Sequence, residues 1–291
     1  DDIVNFAYDS VGNLTSAGDN DSKLTMEYDA LSRLIKAITG DSANPNIVQP
    51  QTTTTHTYDD RSNRIKMTDP QAGITNYTYD FYYNRLNRIT NPNLEAVNFT
   101  YDKLNRRTQL SLPNGVTATY TYDTASQLTN LIHQAGAVTM SNFQYTYDRV
   151  GNRISMNELD GLNSYFYDTL NRLTNASHPQ VPNPAETFTY DSVGNRINSH
   201  LSGVYNYDTC NRLLEDNQYR YTYDANGNMI SKQDKSTLAT TTYTYNAENQ
   251  LKTINSPGGS SATYSYDSLG RRIQKNINGF ITRYIYDNED I

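Results

Sequence analysis

The dipeptide Tyr-Asp returns along this chain at a nearly constant spacing, and that recurrence limits the fold more than any other feature. Its tyrosines are Tyr8, Tyr28, Tyr58, Tyr79, Tyr101, Tyr122, Tyr147, Tyr167, Tyr190, Tyr207, Tyr223, Tyr266 and Tyr286, and Tyr245-Asn246 fills the one gap in the series. The fourteen occurrences lie 16 to 30 residues apart, about 21 on average. A period of this length marks one supersecondary unit repeated along the chain.

Each unit reads as a strand running into a tight turn. Two residues before the Tyr-Asp tyrosine stands Tyr in nine units (77, 120, 145, 165, 205, 221, 243, 264, 284) and Phe in three (6, 99, 188), with Met26 and His56 completing the set. Residues i and i+2 of a strand share a face, so a unit places two rings on one side. The residue between them, on the other side, is Thr in eight of fourteen units. Next, Asp can cap a turn through its side chain. Gly12, Gly151, Gly194, Gly227 and Gly270, or Asn105, Asn171 and Asn211, supply a residue that tolerates positive φ. A return strand is expected from Ile154, Leu173, Ile197, Leu213, Ile230, Leu251 and Ile273. Each unit is thus a β-hairpin.

Fourteen hairpins imply about 28 strands, or a ribbon about 130 Å wide at roughly 4.8 Å per strand. A compact chain of this length should be only about 50 Å across, and open sheets beyond about 10 strands curl. The expected fold is therefore all-β: a spiral or coiled sheet of tandem β-hairpins, a β-solenoid or part of a hollow shell. Residues 1–291 are expected to form one array, cut from a larger polypeptide, since the chain starts in the middle of a repeat at Asp1 and stops just after another at Ile291. The Pro- and polar-rich stretches at 39–55 and 176–186 are expected to be surface excursions.

Composition identifies what must fill the interior. Only 36% of the 291 residues are hydrophobic, while tyrosine occurs 26 times against 7 Phe and no Trp. Mean hydropathy is −0.77, too polar for an aliphatic core. A tyrosine ring can fill an interior while its hydroxyl finds a partner at the edge. The fourteen repeat tyrosines are therefore expected to be structural, with rings buried and stacked into a ladder.

The net charge of −7 argues against nucleic acid or an anionic membrane as partner, because phosphate recognition needs a local excess of Lys and Arg. No apolar run approaches the length of a membrane helix, and no signal peptide opens the chain. Cofactor and metal sites are not expected. His56, His133, His178 and His200 lack metal-ligand spacing. "GDNDS" (18–22) and "DNEDI" (287–291) lack the full calcium loop, and "SPGGSSA" (256–262) lacks a phosphate-loop lysine. The single Cys210 replaces a turn leucine and is read as a small apolar residue.

The units [YF]-x-YDxxGN[RL] and YDxLNRL, as in "YTYDRVGNRI" (145–154) and "YDTLNRL" (167–173), resemble the YD or RHS repeat over nearly the whole chain. The resemblance implies a hairpin spiral like those of insecticidal toxin-complex shells, RHS polymorphic toxins and teneurin ectodomains, where the sheet can enclose a polypeptide toxin. It also implies a secreted or cell-surface location. In that family a C-terminal core can cleave itself near an Asp-Pro-x-Gly segment. Here the only Asp-Pro is Asp69-Pro70, followed by Gln-Ala-Gly in an early repeat, so self-cleavage is not expected.

Two functions follow as expectations. One is a non-enzymatic scaffold that encloses or presents another polypeptide, with flanking parts of the same polypeptide as partners. The other is an extracellular carbohydrate-binding or adhesion module, in which exposed tyrosines stack on sugars.

Overall fold

The computed structural model describes residues 3–40, 51–179 and 185–287. Of the excursions expected at 39–55 and 176–186, residues 41–50 and 180–184 lie outside the described residues, as do 288–291 of "DNEDI", while Thr52 to Thr55, Ala176, Ser177 and Glu186 belong to strands instead. Every regular element among the described residues is a β-strand, 27 in all. Thirteen strands end on the repeat tyrosine, among them Val138–Tyr147, Gly161–Tyr167 and Thr240–Tyr245. Each is followed by a tight turn and an antiparallel partner, so the hairpin is the repeating element.

The burial pattern follows the two-residue period. In Ile74–Tyr79 the residues alternate between exposed and half-buried, with Tyr77 and Tyr79 half-buried and Thr78 exposed. On the exposed side the hydroxyls pair across strands, as Thr222 with Ser231 at 2.6 Å and Thr244 with Thr253 at 2.7 Å.

The return strands start differently from expectation in four units with a turn glycine. They begin at Arg153, Arg196, Met229 and Arg272, one residue before Ile154, Ile197, Ile230 and Ile273. The repeat tyrosine faces the sixth residue after it in glycine and leucine units alike, as Tyr147 faces Arg153 and Tyr167 faces Leu173, and a β-bulge follows that pair. Thr146 faces Ser155 but Tyr147 faces Arg153, so Ile154 is the extra residue. The same shift stands before the repeat tyrosine throughout, for instance at Tyr8, Tyr58, Tyr101, Tyr207 and Tyr266. Three of these isoleucines are about 40% exposed (Ile154 39%, Ile197 43%, Ile230 38%), whereas Ile273 is 4% exposed.

The chain divides into two compact units, residues 76–217 and residues 1–75 with 218–291. In the first, successive strands pair antiparallel from Asn76 to Ser199, and the hairpin Tyr205–Asp216 follows. In the second, two runs of hairpins, Asn5–Thr68 and Tyr219–Arg283, come together although they are far apart in sequence. The Ser268 N–H donates to Ser22 Oγ at 3.1 Å, across 246 residues. Ser22, Leu24, Asp267, Ile273 and Tyr286 line a common cavity of only about 10 Å³.

The interior is thin. Among the described residues, the buried hydrophobic ones are Ala17, Leu24, Ala118, Ala176, Ala262 and Ile273, and no large side chain is fully buried. The repeat tyrosines expected to be buried are instead half-covered, and Tyr8 in the first repeat is 61% exposed, the result of one sheet face offering a ring neighbours on its flanks.

Candidate functional site

The repeat motif builds one recurring site, the tight turn and its contacts with the turns before and after it. In the turn at 147–153, the Asp148 carboxylate accepts from the N–H of Val150 and Asn152 at 3.0 and 2.8 Å. The Gly151 N–H donates to the Asp148 carbonyl, and the Asp148 N–H to the Asn152 carbonyl. This geometry requires positive φ at the fourth residue after the tyrosine. Gly12, Gly151, Gly194, Gly227 and Gly270 have φ of 93°, 94°, 96°, 89° and 80°. Asn105, Asn171 and Asn211 hold the same position at 60° to 64°. Ser32, Ser62, Ser126 and Asn249 do so as well, which glycine counting alone overlooks.

The residue after the positive-φ position is Asn or Arg in most repeats, with Gln127 and Gln250 in two, and the Asn or Arg can bind two turns at once. Arg33 holds the Asp29 carboxylate at 2.6 Å and donates through Nη1 to the Asp59 carbonyl of the next turn at 2.9 Å. Its guanidinium lies 4.8 Å from the Tyr58 ring centroid. Arg85, Arg106 and Arg172 repeat this with Asp102, Asp123 and Asp191. Where Asn stands instead, Asn152 donates to Asp148 at 2.9 Å and to Asn171 Oδ1 at 2.9 Å. Asn13, Asn195 and Asn228 bridge in the same way to Ser32, Asn211 and Asn249. Each link runs forward by one repeat.

The repeat tyrosine supplies the backward link. Tyr147 donates its hydroxyl to the Leu128 carbonyl at 2.7 Å. Leu128 is the residue opposite Tyr122, at the bulge of the preceding hairpin. The same bond joins Tyr28 to Leu14, Tyr58 to Leu34, Tyr101 to Leu86 and Tyr122 to Arg107. It joins Tyr167 to Arg153, Tyr190 to Leu173 and Tyr207 to Arg196. It recurs for Tyr245 to Met229, Tyr266 to Leu251 and Tyr286 to Arg272. A bulge disrupts the main-chain ladder locally, and a phenol hydroxyl here reaches the backbone beside it. Phe could not replace this tyrosine, although it stands in for the tyrosine two residues earlier in three units.

That earlier ring forms a ladder of a different kind from the ring-on-ring stack expected. Arg153 lies between Tyr145 and Tyr165, 5.7 and 4.8 Å from their centroids. Arg196 stands likewise between Phe188 and Tyr205, and Arg272 between Tyr264 and Tyr284. The adjacent rungs are two strands apart, too far for rings to touch directly, and the intervening long side chain fills the gap.

Electrostatics follow from these bonds. The Asn13 amide holds the Asp9 carboxyl below its ordinary value, and the Arg33 guanidinium does the same for Asp29. Burial pushes the Tyr147 and Tyr245 phenols up. Asp9 and Asp29 are thus ionised caps engaged by their own turns, and Tyr147 and Tyr245 are protonated donors.

The other candidate residues are spread apart. His133 bonds to Ser141, His178 to Asn163 and Glu186, and the His200 ring meets Phe188 edge-on at 5.7 Å. His56 differs, being buried at 7% exposure. Cys210 is exposed. Asp19 closes the 18–22 loop by accepting from the N–H of Asp21 and Ser22, and Gly258 and Gly259 make the turn at 256–260 at φ of 86°. No cluster of three or more potential metal ligands occurs among the described residues.

The fold and site together define an all-β protein of tandem antiparallel hairpins, bonded turn to turn by a Tyr-Asp motif. Two family models match parts of the chain: the teneurin YD-shell matches residues 160–291 and the RHS repeat matches residues 101–139. The chain is similar to the tRNA nuclease WapA of Bacillus subtilis, 34% identical over 43% of this chain and 5% of that protein. It is also similar to the probable deoxyribonuclease RhsB of Dickeya dadantii, 24% identical over 81% of this chain and 18% of that protein. The chain therefore spans less than a fifth of the length of these relatives. Its fold matches a chain of the Photorhabdus luminescens Tc holotoxin pore, with a TM-score of 0.70 at 18% identity, over 91% of this chain and 16% of that one.

Proposed function

We propose that this chain is a non-enzymatic scaffold, a segment of a secreted or surface YD/RHS-repeat shell that encloses or presents another polypeptide, such as a toxin domain of the same parent chain. The observation that carries this reading is the two-way bonding between repeats. The motif's tyrosine hydroxyl, aspartate and Asn or Arg are used to bind the neighbouring repeat, as Tyr147, Asp148 and Asn152 are. Residues spent in this way build a wall. The matched relatives include proteins named for nuclease activity, and the similar fold comes from a holotoxin. Since this chain covers a small share of each, the activity in those names is assigned here to other parts of a parent polypeptide. The fourteen repeats act as one array in this reading, with the repeat tyrosines and turn glycines as its structural residues.

The test has two arms. In the parent polypeptide, the segment carried by the repeats should resist added protease while the array is intact, and become sensitive when Tyr147→Ala weakens it. Equal sensitivity in both proteins would contradict enclosure. Purified 1–291 should leave tRNA and double-stranded DNA unchanged, and turnover of either would overturn the scaffold reading.

One feature favours the carbohydrate-binding alternative. The turn after Tyr79 is one residue longer than the others and exposes Phe81, Tyr82 and Tyr83 by 75%, 88% and 60%. Open rings of this kind can stack on sugar faces. A glycan array probed with wild type and Tyr82→Ala tests it, and a signal lost in the variant would support a lectin-like role.

A further inference from the structure

In the third repeat the position that elsewhere carries Tyr, Phe or, once, Met is occupied by His56. Its side chain is 2% exposed, and neither Nδ1 nor Nε2 has a hydrogen-bond partner. Across the strand pair it faces Met67, which cannot answer a charge. The nearest carboxylate is Asp287, 3.7 Å from Nε2, beyond hydrogen-bonding distance. Asp287 belongs to the fourteenth Tyr-Asp pair, 223 residues from Arg64, yet both its oxygens accept from Arg64 Nη1 at 2.7 and 2.6 Å. The third repeat and the last one are thus tied by an ion pair packed against a buried imidazole.

We propose that His56, Arg64 and Asp287 form an acid-labile clasp, which holds the last repeat of this chain on its third repeat at neutral pH and releases it when His56 gains a proton. The groups facing His56 explain the direction. Arg64 and Asp287 already balance each other, and Tyr58 on the same strand is a protonated phenol held up by burial. A proton on His56 adds a second cation to a site with a single carboxylate and gives two N–H groups no acceptor. A buried charge without a partner is costly. Burial accordingly holds the imidazole below its ordinary value of 6.5, with the Asp287 carboxylate opposing this and Arg64 reinforcing it. A histidine depressed in the closed state contributes closure that is fully present above 6.5. This contribution is lost as pH falls from 6.5 towards the closed-state value. Residues Tyr284 to Tyr286 lie outside any strand and are bonded to the preceding hairpin through the Tyr284 N–H to Ile273 and the Tyr286 hydroxyl to Arg272, so opening the clasp frees them on the side of the third repeat. The clasp is independent of what the array encloses.

Hydrogen exchange read by mass spectrometry between pH 7.5 and 5, corrected for intrinsic rates, tests this on the full chain. In wild type the opening constant of segments 52–68 and 280–287 should rise by up to about tenfold per pH unit below 6.5, while segment 116–135 stays protected. His56→Phe, which places there a residue found in three other repeats, should keep both segments protected at pH 5. Asp287→Asn should open them at every pH. Should His56→Phe fail to fold, His56→Tyr carries the same expectation. Identical pH profiles in wild type and the histidine variant, protection that holds or rises in wild type on acidification, or simultaneous opening of 116–135 would each overturn the clasp.

Discussion

The Tyr147 hydroxyl donates to the Leu128 main-chain carbonyl at 2.7 Å, nineteen residues back and in the preceding hairpin. Ten further repeat tyrosines make the same bond, so the residue that ends each outgoing strand also fastens its hairpin to the one before. A neutral hydrogen bond of this kind contributes about 1 kcal/mol net. Repeated along the array, it supplies cohesion that a chain with so few aliphatic residues does not obtain from burial.

The turn positions allow a clean separation of backbone cost from crowding. At Gly194, φ is +96° and a Cβ would meet nothing within 4 Å, whereas at Gly151 it would approach Gln127 Nε2 at 3.2 Å. Gly194→Ala should therefore cost about 1 kcal/mol from left-handed strain alone. Gly151→Ala should cost the same or somewhat more. Thr146→Ala, on the exposed face, should stay within about 0.5 kcal/mol. Urea denaturation midpoints of the three variants check the order.

Solenoid logic would allow any end to be cut away, because each repeat touches only its neighbours. The contact between Ser22 and Ser268, and that between Arg64 and Asp287, change this for one of the two units. Deleting residues 1–57 should leave Asn76–Asn217 as protected from hydrogen exchange as before. Protection should fall in Ser261–Tyr266 and Arg272–Ile277. Unchanged protection there would mean that the long-range contacts carry little weight.

Acid should dismantle the turns. Asp9, Asp29, Asp59 and Asp224 are held below the ordinary value of 3.8, chiefly by the side chains of Asn13, Arg33, Asn63 and Asn228. A carboxyl depressed in the folded state contributes stability that is fully present above its unfolded value and lost as pH falls through the folded one. Stability measured by urea titration should hold down to about pH 4 and decline below it. In Asp29→Asn the starting stability should be lower and the decline shallower.

Much of this was legible in the sequence, because it is local. The Tyr-x-Tyr-Asp spacing gives the strand and its half-buried face, and Gly or Asn four residues later marks the positive φ. The bulge was not legible: Ile154 is apolar, as the first residue of a return strand is expected to be, yet it is the extra residue of the bulge and the strand begins at Arg153. The ladder was misjudged because ring stacking presumes contact between neighbouring repeats, and the rings stand two strands apart with Arg153 between Tyr145 and Tyr165. Nor could spacing show that His56 and Asp287 meet, since no periodic rule connects positions in the third and last repeats.

The central claim is that the repeat tyrosine acts through its hydroxyl, and the comparison that tests it most directly is urea unfolding of Tyr147→Phe beside Tyr145→Phe. Both changes remove one oxygen from a half-buried ring on the same strand and face. Only Tyr147 has the Leu128 carbonyl to lose. Tyr147→Phe should lower stability by about 1 to 2 kcal/mol, leaving the carbonyl unsatisfied, while Tyr145→Phe should change it by no more than about 0.5 kcal/mol. Equal effects in the two variants, or a neutral Tyr147→Phe, would contradict the account.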